Sequence, residues 1–159
     1  APIDELLNKA IEEVRNISHL KHPQMVKHLG LQTALEALID KTFDESMTAN
    51  VHVEDFPLPY EVQLFVYRAV QETTTNIIKH ASATECIIRL SLENNSNEIQ
   101  LLIRDDGNGF DAKGRNWRFG LRTLNEYCKS LEGNLKINSS AEDGTTLSMT
   151  LPNPQRTQL

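Results

Sequence analysis

Cysteine is scarce in this chain of 159 residues: there are two, Cys86 and Cys128, each inside an apolar segment. They offer neither the paired spacing of a zinc site nor a disulfide framework, so both read as reduced packing residues suited to a reducing cytoplasm. Long hydrophobic runs are missing as well. No apolar stretch approaches the roughly 20 residues a bilayer span needs, and no charged-then-apolar leader is present, so neither a transmembrane helix nor a signal peptide is expected within these residues. Positive charge is in deficit, with 16 Lys plus Arg against 22 Asp plus Glu and a net charge of −6. That argues against a nucleic-acid binder working through a broad basic surface. It leaves room for a local polyanion site in which backbone amides, a few cations and a metal ion do the neutralising. There is no glycine-rich phosphate loop ending in Lys-Ser or Lys-Thr, no internal repeat and no low-complexity linker. What is present, 39% hydrophobic and 24% charged residues, is near the globular average and fits one soluble domain with its own core.

Apolar residues first recur at steps of four and three: Ile3, Leu7, Ala10, Val14 and Ile17, with Leu6, Ile11 and Leu20 beside the seam. This narrow stripe suits a bundle or coiled coil, is little more than two heptads long, and reads as the tail of a longer helix stopped at Pro23; the alternative is a surface helix packed on its own domain. A second helical pattern follows Gly30, with Leu31, Leu35, Leu38, Ile39 and Phe43 on one side. From Asn50 to Phe56 the period changes to two, the mark of a short strand. Pro59 can open a long helix over about Tyr60 to Ala81, since its missing amide is not needed in a first turn. Val62, Phe65, Val66, Ala69, Val70, Thr73 and Ile77 would form its buried side. Two strands, Glu85 to Leu92 and Glu98 to Arg104, flank turn formers at 94–97 and predict a hairpin. A helix from about Phe119 to Leu131 ends at Gly133, and a second hairpin joins Leu135–Ser139 to Thr145–Leu151 around Asp143-Gly144. The class is α+β: a layer of helices on one face of a mostly antiparallel sheet, with a polar tail from Asn153.

On the long helix Glu72, Asn76 and His80 are spaced by four, with Lys79 beside them, so one polar stripe opposes the apolar face. At 1.5 Å per residue it runs about 12 Å, the length of a triphosphate. An amide oxygen and a carboxylate are hard ligands for Mg²⁺, and Lys79 or His80 can meet phosphate oxygens. A merely solvated polar face would look similar. Asp105, directly after a strand, precedes Gly107 and Gly109, whose bare backbones let a ligand approach while the acid accepts hydrogen bonds from an exocyclic amine; a plain acidic turn is the alternative. Gly107-Asn108-Gly109-Phe110-Asp111-Ala112 matches a dinucleotide fingerprint in letters only, because that motif must open a helix and Ala112 to Arg115 starts one poorly. A calcium loop counted from Asp106 would place Phe110 at a ligand position. Lys113, Arg115 and Arg118 lie in a structure-poor stretch that suits a lid closing on phosphates. Gly120 and Leu121 then begin a helix whose first amides can seat an anion.

Taken in order, Gln71 to Ala81, Asp105 to Phe110, Gly120-Leu121-Arg122 with Leu131-Glu132-Gly133, and Gly144-Thr145-Thr146 resemble the catalytic ATP-binding domain of sensor histidine kinases. The likeness is greatest to the nitrate-sensor and desaturase-regulating branch, and its fold is the Bergerat-type two-layer sandwich shared with gyrase, the MutL repair proteins and heat-shock chaperones. It covers about Leu58 to Pro152, and His28 to Leu31 resembles the connector after the dimerisation helices. The resemblance implies residues 1–22 as the end of a dimerisation domain, 23–57 as connector and first strand, 58–152 as the catalytic core and 153–159 as a tail.

By the same resemblance Asn76 is the Mg²⁺ ligand and Glu72 orients metal or water. Lys79 and His80 contact phosphates, and Asp105 reads the adenine amine. Gly107 and Gly109 permit close approach, with Lys113 and Arg115 in the lid. Gly120 and Leu121 hold the phosphate-side backbone, and Thr145 lines the adenine pocket. The implied reaction is in-line transfer of the γ-phosphoryl group of Mg-ATP. Thr123 and Asn125 depart from the family's usual glycine and arginine. The family's phosphorylated histidine is followed by an acidic residue, whereas His19, His22, His28, His52 and His80 precede Leu, Pro, Leu, Val and Ala. The acceptor is therefore expected outside these residues, on the kinase's own dimerisation domain in a longer chain or on another protein, with a homodimer and a response regulator as implied partners and a membrane anchor, if any, elsewhere in the chain. A serine-directed kinase that restrains a sigma factor, an ATPase of the same fold, and a degenerate nucleotide-binding module are the alternatives.

Overall fold

The computed structural model describes residues 3–10, 24–109 and 119–154. Residues 3–10 are helical (α1), and Ile3, Leu6 and Leu7 are 75, 66 and 57% exposed, so this part of the seam is not packed on the domain. The rest of the seam and the stop at Pro23 fall outside the described residues. A short helix, α2 (Gln24–Leu29), turns at Gly30 into α3 (Leu31–Thr42). Gly30 sits at φ 84, the left-handed region that a residue without Cβ enters readily, and it closes one helix and opens the next: its amide donates to Val26 and its carbonyl accepts from Ala34. Leu31, Ala34, Leu35, Leu38 and Ile39 are buried on the predicted face.

Strand β1 (Thr48–Val53) starts two residues before the sequence pattern suggests. The reason is its partner: Thr48 pairs with Glu85, and the Thr48 amide donates to the Thr84 carbonyl at 2.9 Å. The outer edge of β1 is covered by Gln32, whose amide donates to Val51 O at 3.0 Å and accepts from Val53 N at 2.7 Å. One side chain thereby satisfies two edge groups that would otherwise offer a pairing template.

Helix α4 (Tyr60–His80) crosses over to β2 (Glu85–Glu93), which lies parallel to β1. Pro59 is the residue just before the first turn, at φ −55 and ψ 143, rather than inside it, and its carbonyl accepts the Gln63 amide. All seven predicted core positions of α4 are buried. Antiparallel strand β3 (Glu98–Asp105) follows, then α5 (Phe119–Ser130), β4 (Asn134–Ser140) and β5 (Gly144–Pro152). The sheet order is β1-β2-β3-β5-β4, with β1 and β2 its single parallel pair.

Alternation along the strands sends Cys86, Ile88, Leu90, Ile99, Leu101, Ile103, Leu135, Leu147, Met149 and Leu151 into one core with the helices. The other face carries Arg89, Leu102, Ser148 and Lys136 in one cross-strand row. This is the predicted two-layer α+β sandwich. Both cysteines are free and buried, as packing residues should be. Among the described residues no helix is long and apolar enough to cross a membrane.

Candidate functional site

The site is built where the C-terminal half of α4, the end of β3 and the start of α5 meet. Three consecutive threonines on α4 turn their hydroxyls back on the helix: Thr73 bonds Ala69 O, Thr74 bonds Val70 O and Thr75 bonds Gln71 O, each at 2.8 Å. Their polarity is satisfied internally, which leaves the neighbouring stripe for other work. In that stripe the Asn76 side-chain nitrogen is buried and has no hydrogen-bond partner. A buried amide left unpaired costs free energy unless something supplies the missing group, and a ligand oxygen would.

One turn earlier, Glu72 lies 3.9 Å from the Arg68 guanidinium, with side-chain exposures of 20% and 11%. Burial lowers the Arg68 pKa, and the Glu72 charge opposes that. Helix α5 runs antiparallel to α4 here: Tyr127 stacks on Phe65 at 4.8 Å and bonds Glu61, while Gly120 at the other end meets Glu72. A Cβ on Gly120 would fall 1.8 Å from a Glu72 carboxylate oxygen. The first turn of α5 thus sits on the carboxylate of Glu72, a favourable place for negative charge. Leu121 is buried in the core, so only its backbone can face a ligand.

At the end of β3, Asp105 is 3% exposed and its carboxylate accepts the Gly107 amide at 2.8 Å. Burial pushes its pKa above the ordinary aspartate value and the Asp106 charge adds to the rise, while the Gly107 and Thr145 amides oppose it. Thr145 pairs with Asp105 across the sheet, and its hydroxyl lies 2.8 Å from that of Ser139.

The glycines serve the protein's own packing. A Cβ on Gly107 would lie 2.4 Å from the Ala81 carbonyl oxygen, and one on Gly109 would lie 2.3 Å from the Ser140 carbonyl oxygen. The Cβ side of each of these bare backbones is thus packed against the protein itself. Among the described residues no three His, Cys, Asp or Glu side chains cluster as a metal cage. An amide and a carboxylate one turn apart are nevertheless the donor set Mg²⁺ accepts, since it keeps few protein ligands and takes the rest from water and phosphate. The Asn76 side-chain oxygen is the atom that could serve there; its partnerless nitrogen is a hydrogen-bond donor and is no metal ligand.

The structure therefore puts Glu72 against Gly120, with Asn76 one turn further along α4, and joins Asp105 to Gly107 and Thr145 at the end of β3, with Gly109 against Ser140 and exposed Lys79 at the end of α4. The His80 side chain, Lys113, Arg115 and Arg118 lie outside the described residues. The sequence pattern gives Arg68 no role, although its spacing of four from Glu72 is a usable signal, and Asp106 enters it only as the start of a calcium loop that fails.

The family profile "Histidine kinase-, DNA gyrase B-, and HSP90-like ATPase" matches residues 61–155, and the chain belongs to that family. Within that family, the chain is similar to sensor histidine kinases. It is 35% identical over 156 residues to the sensor histidine kinase MctS of Rhizobium johnstonii, covering 93% of this chain and 33% of that protein. It is 32% identical to the histidine-protein kinase/phosphatase DegS of Brevibacillus brevis, over 93% of this chain and 39% of the other. To the oxygen sensor histidine kinase NreB of Staphylococcus carnosus it is 30% identical, over 94% and 44%. The chain thus spans less than half the length of these relatives. Among solved structures, the blue-light-activated histidine kinase of Erythrobacter litoralis superposes with a TM-score of 0.73 at 18% identity, over 98% of this chain and 52% of that one. At that identity the match speaks for the fold.

Proposed function

We propose that this domain binds Mg-ATP between α4 and the Asp105 loop and transfers the γ-phosphoryl group to a histidine on the kinase's own dimerisation domain, for relay to a response regulator. The observations that carry the reading are the buried, partnerless Asn76 side-chain nitrogen on α4 and the buried Asp105 acceptor at the end of β3, taken as the two walls of one site. In this reading Asp105 accepts from the adenine amine and Thr145 lines the base. Asn76 and Glu72 hold the metal, whose chemical contribution when bound is to neutralise charge on the phosphate oxygens. Lys79, His80 and the lid cations Lys113 and Arg115 contact phosphates, and the amides at Gly120 and Leu121 border them. Attack by an imidazole nitrogen on the γ-phosphorus, in line with departing ADP, asks little covalent chemistry of the protein and much positioning.

The exposed Ile3, Leu6 and Leu7 suit a helix that continues a dimerisation bundle, which supports residues 1–22 as its end, 23–57 as connector, 58–152 as catalytic core and a homodimer in the longer protein. Two buried, free cysteines suit a cytoplasmic setting. The test mixes this chain with a dimerisation domain from the same kinase branch and γ-labelled ATP. Acid-labile, base-stable label on the acceptor domain is expected. Acid-stable label would point to a serine-directed kinase, and nucleotide binding without any transfer would point to a non-catalytic module.

A further inference from the structure

The two walls of the site belong to chain segments far apart in sequence, and something must fix the distance between them. Asp106 occupies that position. Its carboxylate accepts three hydrogen bonds: from the Thr84 amide at 2.8 Å, the Thr84 hydroxyl at 2.7 Å and the Glu85 amide at 2.9 Å. These donors hold the Asp106 pKa below the ordinary aspartate value. The neighbouring backbone completes the junction. The Asn108 amide donates to Ala81 O at 2.7 Å, the Asp106 amide to Glu85 O at 3.3 Å, and Gly107 packs directly on Ala81. Ala81 caps the helix that carries Asn76 and Lys79, while Asp105 immediately precedes Asp106. The adenine side is thereby bolted to the C-terminal end of the phosphate side.

We propose that Asp106 is a positioning residue: through Thr84 and Glu85 it fixes the Asp105 loop against the end of α4, so that one nucleotide reaches both walls at once. The inference rests on the reading of the site given above. Because the three hydrogen bonds are exposed, water can replace them when the carboxylate is lost. The fold should survive; the register between the walls should not. A ligand that engages both walls loses its advantage when they can shift, whereas a ligand held at one wall does not.

The test compares ATP with adenosine by calorimetric titration of this chain, its Asp106→Ala, Asp106→Asn and Thr84→Val variants, and Asp105→Asn. Fitted stoichiometry reports the folded fraction separately from affinity. Asp106→Ala should weaken ATP by about tenfold or more while adenosine stays within about threefold. Asp106→Asn should recover most of the loss, because its amide oxygen can still accept both backbone amides and its nitrogen can donate to the Thr84 hydroxyl. Thr84→Val should shift ATP in the same direction by less, and it carries the test if Asp106→Ala does not fold. Equal losses for both ligands, or no loss for either, would overturn the positioning role while leaving the site intact. Wild-type chain that binds neither ligand, or an Asp105→Asn variant that binds ATP and adenosine normally, would overturn the reading of the site and this inference with it.

Discussion

Replacing Gly107 by alanine tests whether that glycine is kept for packing or for backbone freedom. Its φ is not in the left-handed region, so alanine suffers no conformational penalty there. The obstacle is space: the new Cβ would stand 2.4 Å from Ala81 O, 2.6 Å from Ala81 Cβ and 2.9 Å from the Ala81 carbonyl carbon. Ordinary contact needs roughly 1 Å more, and the obstructing atoms are mostly backbone, which cannot rotate aside as a side chain would. The loop must move, and moving it stretches the bond from the Asn108 amide to that same carbonyl. Overpacking together with one weakened hydrogen bond should cost about 2–4 kcal/mol. That is a large share of a typical domain stability, yet leaves the protein folded at 25 °C. Urea unfolding should show a lower midpoint with an unchanged slope, and thermal unfolding a Tm lower by about 5–15 °C. Gly30→Ala is the control, since it has a positive φ but nothing within 4 Å of its Cβ, and should cost only about 1 kcal/mol. A Gly107→Ala protein as stable as wild type, or less affected than Gly30→Ala, would refute the crowding argument.

Leu35→Ala, at a fully buried position of α3, should lower the stability seen in urea by about 2–5 kcal/mol; a loss under 1 kcal/mol would show that α3 is not part of the core. Acidification should act on Asp105 in two opposed ways. Its native pKa lies above the unfolded one, so the native state takes up the proton first and this residue's contribution to stability rises as pH falls through the native value. Nucleotide affinity should decline over the same interval as the acceptor is lost, and affinity that holds down to about pH 4 would contradict the assignment. The Cys86 thiol is pushed up to about 12, by burial first and then by the Asp105 and Asp106 charges, and burial raises Cys128 as well. Neither should react with iodoacetamide at pH 8 until urea unfolds the chain, and rapid alkylation of the native protein would show the core to be open.

Periodicity made most of the fold legible. The seven apolar positions of α4 and the alternation in β2, β3 and β5 are each reinforced by several residues, so the buried face was fixed without knowledge of partners. β1 was less legible, because its ends are set by hydrogen bonds to β2 and by Gln32 rather than by its own pattern. The candidate site divides in the same way. Glu72, Asn76 and Asp105 announce themselves through spacing and strand-end placement. The carboxylate–Gly120 contact, the Gly107–Ala81 contact and the Asp106 junction join residues more than 20 positions apart, and no local pattern encodes them. Gly107 and Gly109 illustrate the limit: the pattern marks them as places without a side chain, and only the coordinates show that the backbones of Ala81 and Ser140 lie where each Cβ would be.

The most direct test is a titration of ATP into this chain with and without Mg²⁺, repeated with Asp105→Asn and Asn76→Ala. Binding that Mg²⁺ strengthens is expected in the wild type, with loss of affinity at either wall and loss of the Mg²⁺ effect only with Asn76→Ala. ATP binding that neither substitution weakens would contradict the proposed site.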